Sequence, residues 1–253
     1  MSAPAATPLS DTARGILWML LAVLGLATAM VSARALKDDL HTFEMLFLRA
    51  GIGFLLVCAF IGAKGWGRLR TARPVFHGVR NATHLGGQYF LLFALIYIPL
   101  GQVTALEFAI PIFTTLIAAF VLRERVGAAR WASIAIGFAG VLVIVRPGFG
   151  VVHPAALLAV FATVCFAASN NMVKVLTRTE SVVVIVFWMH LMQALFALVP
   201  ALPVWVTPAP HHWPWILGLS IGSVVSHYAM TRSVALADLS VIFPFDFLRL
   251  PVT

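Results

Sequence analysis

Ten ionisable or amide side chains interrupt stretches of this chain that are otherwise apolar enough to lie in lipid. They are Arg49, His84, Gln88, Glu107, Asn170, His190, Gln193, His227, Asp246 and Arg249. An ionisable side chain at the centre of a membrane helix costs roughly 2.5–3.5 kcal/mol, so it is usually retained for a function. Arginine and carboxylate groups bind charges, amides donate and accept hydrogen bonds, and histidine exchanges protons near neutral pH. These residue types predict a polar binding site inside a membrane.

The spacing of these residues predicts that several helices turn a polar face towards one cavity. The pairs are His84 with Gln88, His190 with Gln193, Ser223 with His227, and Asp246 with Arg249. Residues three or four apart share one face of a helix. For any single histidine, a hydrogen bond between helices is an alternative to substrate contact.

Arg49 and Glu107 are predicted to lie at the same depth. Each is six or seven residues from the same side of the membrane, about 10 Å at 1.5 Å per residue. The two side chains are expected to pair across helices. The pair is interpreted either as a polar gate or substrate clamp, or as a structural ion pair that fastens two helices.

Enzymatic and metal chemistry are the least favoured interpretations of the polar residues. The histidines lie on separate apolar stretches and the chain has no HExxH motif. Cys58 and Cys165 each lie within an apolar stretch without ligand spacing and are interpreted as small apolar filler. We therefore expect no catalytic residue, no cofactor and no metal.

The composition predicts the helices that must position these residues. Hydrophobic residues make up 61% of the chain and charged residues 10%, whereas soluble domains have about 25% charged residues. Predicted membrane spans lie at 15–33, 42–63, 76–98, 101–122, 129–146, 154–174, 181–203 and 213–233, and a ninth begins near Asp238. The fold class is therefore an all-α polytopic membrane protein, with residues 1–14 as a short cytoplasmic tail. The first span is expected to be an anchor and not a removed signal peptide.

The basic residues predict the orientation. With the amino terminus in the cytoplasm, 12 of the 17 Lys and Arg residues lie on the inner side and three lie in outer loops. Such a bias marks the cytoplasmic side of a membrane protein. The net charge of +8 is explained by this orientation, so nucleic acid is not an expected partner.

The chain also contains an internal repeat. A shift of 140 positions places Phe47 on Phe187, Arg34 on Lys174, and Pro111 on Pro251 without gaps. Five spans separate equivalent positions. Because five is odd, the two halves are expected to lie upside down relative to each other, with a site between them near the midplane.

Three prolines lie inside predicted spans: Pro111, Pro244 and Pro251. A proline frees a backbone carbonyl and bends a membrane helix. These residues are interpreted as helix breaks that line the site or assist its movement, with helix packing as the alternative.

Several segments resemble the drug/metabolite transporter superfamily, in particular its ten-helix members with two EamA repeats. The segments are Ala94–Ile98, Thr104–Glu107 with Pro111, Leu122–Arg125, Gly137–Val141, Arg146–Gly148 and Phe243–Pro251. The resemblance covers about residues 15–253. It implies a first repeat of five helices at 15–146 and a second, incomplete repeat at 153–253 that stops within the ninth helix.

The resemblance also implies a function. The expected protein is a secondary transporter in the bacterial inner membrane that moves a small polar metabolite, such as an amino acid, by alternating access. Export and coupling to protons are the expected direction and energy source, and the chain has no Walker motif for ATP. A channel or a structural membrane protein is the alternative function. The expected partners are the lipid bilayer and the substrate, with the protein as a monomer or weak homodimer.

Overall fold

All regular secondary structure described for this chain is helical, which confirms the predicted all-α class. The computed structural model describes residues 10–62, 69–98, 100–107, 109–124, 126–145, 153–245 and 248. The helices are α1 (Asp11–Leu36), α2 (Thr42–Gly62), α3 (Pro74–Tyr97), α4 (Leu100–Glu107), α5 (Ala109–Phe120), α6 (Ala128–Val145), α7 (Ala155–Leu176), α8 (Val182–Ala201), α9 (Trp213–Leu236) and α10 (Leu239–Ile242).

Four of the described helices are long and apolar enough to cross a membrane. They are α1, α2, α7 and the segment Val182–Val204, which contains α8. Helices α3 and α9 have 24 residues each and at 1.5 Å per residue are about 36 Å long, but they carry more polar side chains. The four apolar helices show a multi-pass membrane protein, while the crossing of the other predicted spans stays a prediction.

The long helices pack in three main pairs: α1 with α9, α2 with α8, and α3 with α7. Helices α1 and α9 approach most closely where both carry glycine. A Cβ atom added to Gly222 would lie 2.7 Å from the carbonyl oxygen of Gly25, and one added to Gly218 would lie 2.6 Å from Ser32 Oγ. Small residues permit such backbone contact between membrane helices.

Substitution of Gly222 by alanine is expected to destabilise the protein. The new methyl group would contact backbone atoms of α1, which cannot move aside as a flexible side chain can. We expect a loss of about 1–3 kcal/mol from overpacking, measured as a lower Tm in detergent. Gly51→Ala is the control, because nothing lies within 4 Å of its added Cβ, and its Tm should be unchanged or higher. Equal Tm values for the two variants would contradict the close approach of α1 and α9.

The turns after α1 and α7 have the same structure at positions 140 residues apart. Leu36 and Leu176 are both fully buried and each ends its helix. The carbonyl of Leu36 accepts hydrogen bonds from the N–H groups three and four residues later, at 3.1 and 2.9 Å. The carbonyl of Leu176 accepts the equivalent two bonds at 3.0 and 2.9 Å. The next helices begin at Thr42 and Val182, again 140 residues apart.

Lys174 connects the ends of α7 and α9. Its Nζ donates to the carbonyl oxygens of Val234, at 2.9 Å, and Ala237, at 2.7 Å. The last carbonyls of a helix have no partner within it, and a basic side chain there is favourable. This lysine, which matches Arg34 in the internal repeat, therefore also caps α9.

Candidate functional site

Three predicted site histidines from three helices form a continuous row in the interior. The ring centroids of His84 on α3 and His227 on α9 are 6.2 Å apart. The rings of His227 and His190 on α8 are 6.0 Å apart. The other side of His84 contacts the ring of Phe166 on α7 at 5.2 Å. The predicted polar faces of these helices therefore meet at one place.

A glycine on α2 makes room for one end of the row. A Cβ atom added to Gly53 would lie 2.3 Å from Cδ2 and 2.8 Å from Nε2 of His190. The Nδ1 atom of His190 lies 2.9 Å from the carbonyl oxygen of Val186. Because a carbonyl only accepts, Nδ1 carries the proton and Nε2 is left as an acceptor. Gly53 was not predicted as a site residue, because a lone glycine in a membrane helix carries no chemical signal.

Arg49 joins this site through an amide, not through the expected carboxylate. Its Nη2 donates to Oε1 of Gln193 at 3.1 Å, so the contact that the structure shows is not the expected pairing with Glu107. Gln193 is 3% exposed. Arg49 and Gln193 connect α2 to α8 one turn from His190, and both were predicted site residues.

A second arginine in the interior was missed as a site residue. Arg80 is 3% exposed, and its Nη1 donates to Oδ1 of Asn81 at 2.8 Å. Arg80 is one of the 12 basic residues that the sequence assigns to the inner side. The signal that could have identified it is spacing, because Arg80, His84 and Gln88 follow one another at intervals of four on α3.

The described part of this site is positively charged. Arg49 and Arg80 are both close enough to act electrostatically on all three imidazoles of the row. Within the described residues, no carboxylate forms an ion pair with either guanidinium. Arginine stays protonated in proteins, so the two side chains bring positive charge into the membrane interior.

Several buried polar atoms of this site have no hydrogen-bond partner within the described residues. They are Arg80 Nε, His84 Nδ1, Gln88 Oε1, His190 Nε2 and Gln193 Nε2. A buried polar group without a partner is costly, and more so in lipid where water is absent. We call these residues, with Arg49 and His227, the central site. Its atoms offer both donors and acceptors to a polar molecule.

Of the remaining predicted residues, Asn170 and Glu107 lie in described helices, and three others lie outside the described residues. Asn170 is buried on α7, and its neighbour Asn171 donates to the carbonyl oxygens of Thr114, at 3.1 Å, and Ala167, at 2.9 Å. Glu107, at the end of α4, is partly buried. Asp246, Arg249 and Pro251 lie outside the described residues.

The prolines have different surroundings. Pro111 is buried in α5, and its carbonyl accepts from the hydroxyl of Thr115 at 2.9 Å. As a proline it cannot donate to the carbonyl of Glu107 four residues earlier. Pro244 is exposed near the end of the described chain, so the two prolines do not share one environment.

At one end of the bundle, a buried carboxylate connects α3 to the turn between α7 and α8. Oε2 of Glu180 lies 2.6 Å from Nε2 of His77, which is fully buried, and the Thr71 hydroxyl donates to Oε1 of Glu180. The ring of His77 stacks on Trp188 with centroids 5.9 Å apart. We call Thr71, His77 and Glu180 the Glu180 cluster.

At the opposite end, two carboxylates connect α2 and the turn before it to the segment before α9. Oε2 of Glu44, a fully buried residue, accepts from the N–H of Val206 at 3.2 Å. Nε2 of His212 lies 3.4 Å from Oδ2 of Asp39, whose side chain is 53% exposed. We call Asp39, Glu44, Val206 and His212 the Asp39 cluster.

His211 also lies next to Asp39 and His212, and one ligand atom from each of the three lies within 4.8 Å of the others. The hydrogen bond to Nδ1 of His212 argues against a metal there. Its Nδ1 accepts from the N–H of Ala209 at 3.1 Å, so in the neutral ring Nε2 carries the proton and points towards Asp39. A metal-binding histidine usually donates its second ring N–H instead.

The chain is similar to a family of membrane transporters and to individual transporters. Residues 13–146 match the EamA-like transporter family. The chain is 31% identical over 246 residues to a riboflavin transporter of Vibrio cholerae serotype O1, covering 94% of this chain and 82% of that protein. It is 26% identical over 239 residues to an S-adenosylmethionine uptake transporter of Rickettsia prowazekii, covering 94% and 81%.

A third relative and a solved structure extend these similarities. The pseudopaline exporter CntI of Pseudomonas aeruginosa is 26% identical over 222 residues, covering 85% of this chain and 77% of the exporter. One protein crystal structure superposes with a TM-score of 0.78 at 20% identity, covering 95% of this chain and 85% of the other. This likeness supports the fold alone.

Proposed function

Because the chain belongs to the EamA-like transporter family, we propose that it is a secondary carrier that moves a small polar metabolite across a bacterial inner membrane by alternating access. The observation that carries this proposal is the central site. Buried donors and acceptors of α3 and α8 that have no partner among the described residues meet there with the imidazole of α9. A polar molecule that crosses lipid needs such partners.

The proposed mechanism uses two inverted halves, 15–146 and 153–253. A shift of 140 residues places α1 on α7, α2 on α8 and α3 on α9. The pair α1–α9 is therefore equivalent to the pair α7–α3, and the pair α2–α8 is equivalent to itself. A pairing pattern that is preserved in this way supports an axis through the α2–α8 contact, where Arg49 meets Gln193.

The clusters at the two ends supply the proposed gates. The same shift takes Asp39 to the position before Glu180, and takes Thr71 to the position before His212. Each cluster therefore connects the loop after the first helix of one half to the loop after the second helix of the other half. We propose that one cluster breaks while the other is held, so that the central site opens to one side at a time.

The relatives bear the names of both uptake carriers and an exporter, and export is the direction that our sequence analysis predicts. We propose that the histidine row or Glu107 carries the coupling proton, because imidazole and carboxylate groups can exchange protons in the membrane. The proposed orientation has the amino terminus in the cytoplasm, and the distribution of basic residues supports it.

Reconstitution into liposomes tests the carrier proposal. We expect saturable uptake of at least one metabolite, driven by its own gradient or by a pH gradient, with exchange against the same unlabelled compound. Rapid electrical currents without saturation would favour the channel alternative. Absence of flux for a broad panel that includes riboflavin, S-adenosylmethionine and the common amino acids would overturn the proposal.

A further inference from the structure

We propose that the central site, which contains Arg49 and Arg80, receives an anionic oxygen group of the substrate, a carboxylate or a phosphate. This inference rests on the proposed function and names the chemical class of its substrate. The expectation from sequence was a site of mixed charge, with Glu107 opposite Arg49. The described residues instead give Arg49 the amide of Gln193 and give Arg80 the amide of Asn81.

The pairing of both arginines with neutral amides carries the inference. A buried charge is normally paired with an opposite charge or with several hydrogen-bond acceptors. Within the part of the chain that the structure describes, each guanidinium has five N–H donors and donates to one amide oxygen. Within the described residues neither lies in an ion pair, and Arg80 Nε has no partner. An anionic ligand supplies the missing acceptor and the missing charge together.

The other atoms of the site define the rest of the ligand. Gln193 Nε2 is a donor beside Arg49 and can bind the same anionic oxygen. Gln88 Oε1 and His190 Nε2 are acceptors, so they require a hydroxyl, amide or ammonium donor on the ligand. The ring of Phe166 beside His84 gives a flat apolar surface. The site therefore fits a small acid that also has hydrogen-bond donors and an apolar part.

A thermal-shift assay on the purified full chain tests the inference with matched charged and neutral probes. The pairs are nicotinate with nicotinamide, N-acetyl-L-methionine with N-acetyl-L-methioninamide, and riboflavin 5′-phosphate with riboflavin. We expect a charged member to stabilise the protein at a concentration about tenfold lower than its neutral partner, as a charge-assisted bond to a guanidinium requires. The first two pairs report a carboxylate and the third a phosphate. Equal or stronger stabilisation by the neutral members would overturn the inference.

Gln193→Glu is the decisive variant, because it places a carboxylate where Arg49 already donates. Without ligand, this variant should raise the Tm by about 3 °C or more, given the usual link between Tm and stability. With ligand, the preference for anions should be lost. Gln193→Met removes the amide without adding charge, so this variant should still prefer the anionic probes. If Gln193→Glu fails to fold, Asn81→Asp beside Arg80 replaces it and carries the same expectations.

The outcomes separate this inference from the carrier proposal. Saturable flux of neutral compounds with no preference for anions would reject the anion site and leave the carrier intact. Preferential stabilisation by anions without flux of any compound would reject the carrier and leave the anion site. An unchanged preference for anions in Gln193→Glu would show that Arg49 does not bind them.

Discussion

Arg49→Gln is expected to lower substrate flux about a hundredfold, in keeping with the 2–5 kcal/mol that is lost when one partner of a buried, hydrogen-bonded charge pair is removed. The variant retains an amide that can donate to Gln193 but removes the positive charge from the central site. Without ligand, the Tm of this variant should be no lower than that of the wild type, because the substitution removes a charge from an apolar interior.

Initial rates of flux in liposomes, with protein content matched, measure the effect. Arg14→Gln is the control, since Arg14 is half exposed and forms a surface pair with Asp11 at 3.1 Å, a type of contact that contributes little. If the flux of Arg49→Gln lies within a factor of about two of the control, the loss is far smaller than expected for a buried charge pair. That result would show that Arg49 does not bind the substrate.

Glu180→Gln is expected to shift the protein towards opening at the Glu180 end. The carboxylate contacts His77 at 2.6 Å and accepts from Thr71, and its side chain is only 8% exposed. A glutamine has one acceptor oxygen in place of two, and it brings no negative charge to the Glu180 cluster. Loss of a buried charged partner typically costs about 3–5 kcal/mol, so we expect flux to fall about tenfold or more.

Reactivity of the Glu180 end towards proteases or hydrogen exchange should rise in the same variant, which separates an opened gate from a lost binding site. Asp38→Asn is the control, because the side chain of Asp38 is 84% exposed and lies 3.8 Å from Lys37. Wild-type flux together with unchanged exchange near His77 would show that the Glu180 cluster is not a gate.

The long apolar helices were predictable because length and hydropathy alone define a membrane span. The predicted span at 42–63 corresponds to Thr42–Gly62, and the span at 181–203 to Val182–Ala201. The start of α1 was placed four residues late. Ser10 accepts from the N–H of Ala13, so the helix begins with polar residues that a hydropathy count ignores.

The histidine row was predictable in part, since shared helix faces indicated a common cavity. The partner of Arg49 was not, because residues at equal depth can lie on opposite sides of a bundle. Which helices touch depends on backbone approach at residues such as Gly53 and Gly222. The role of Arg80 was hidden because a basic residue near a helix end fits both a topology signal and a buried site.

The most direct test of alternating access is the labelling of a single cysteine from each side of the membrane. Ser223→Cys, in a chain with Cys58→Ser and Cys165→Ala, places the thiol one turn from His227 on the same helix face. A membrane-impermeant thiol reagent is applied to vesicles of each orientation, with Glu180→Gln or Asp39→Asn added. Alternating access predicts reciprocal shifts: Glu180→Gln raises labelling from the Glu180 end and lowers it from the Asp39 end, and Asp39→Asn does the opposite. Labelling that rises from both sides in either variant, or that never occurs from one side, would contradict a central site that opens to one face at a time.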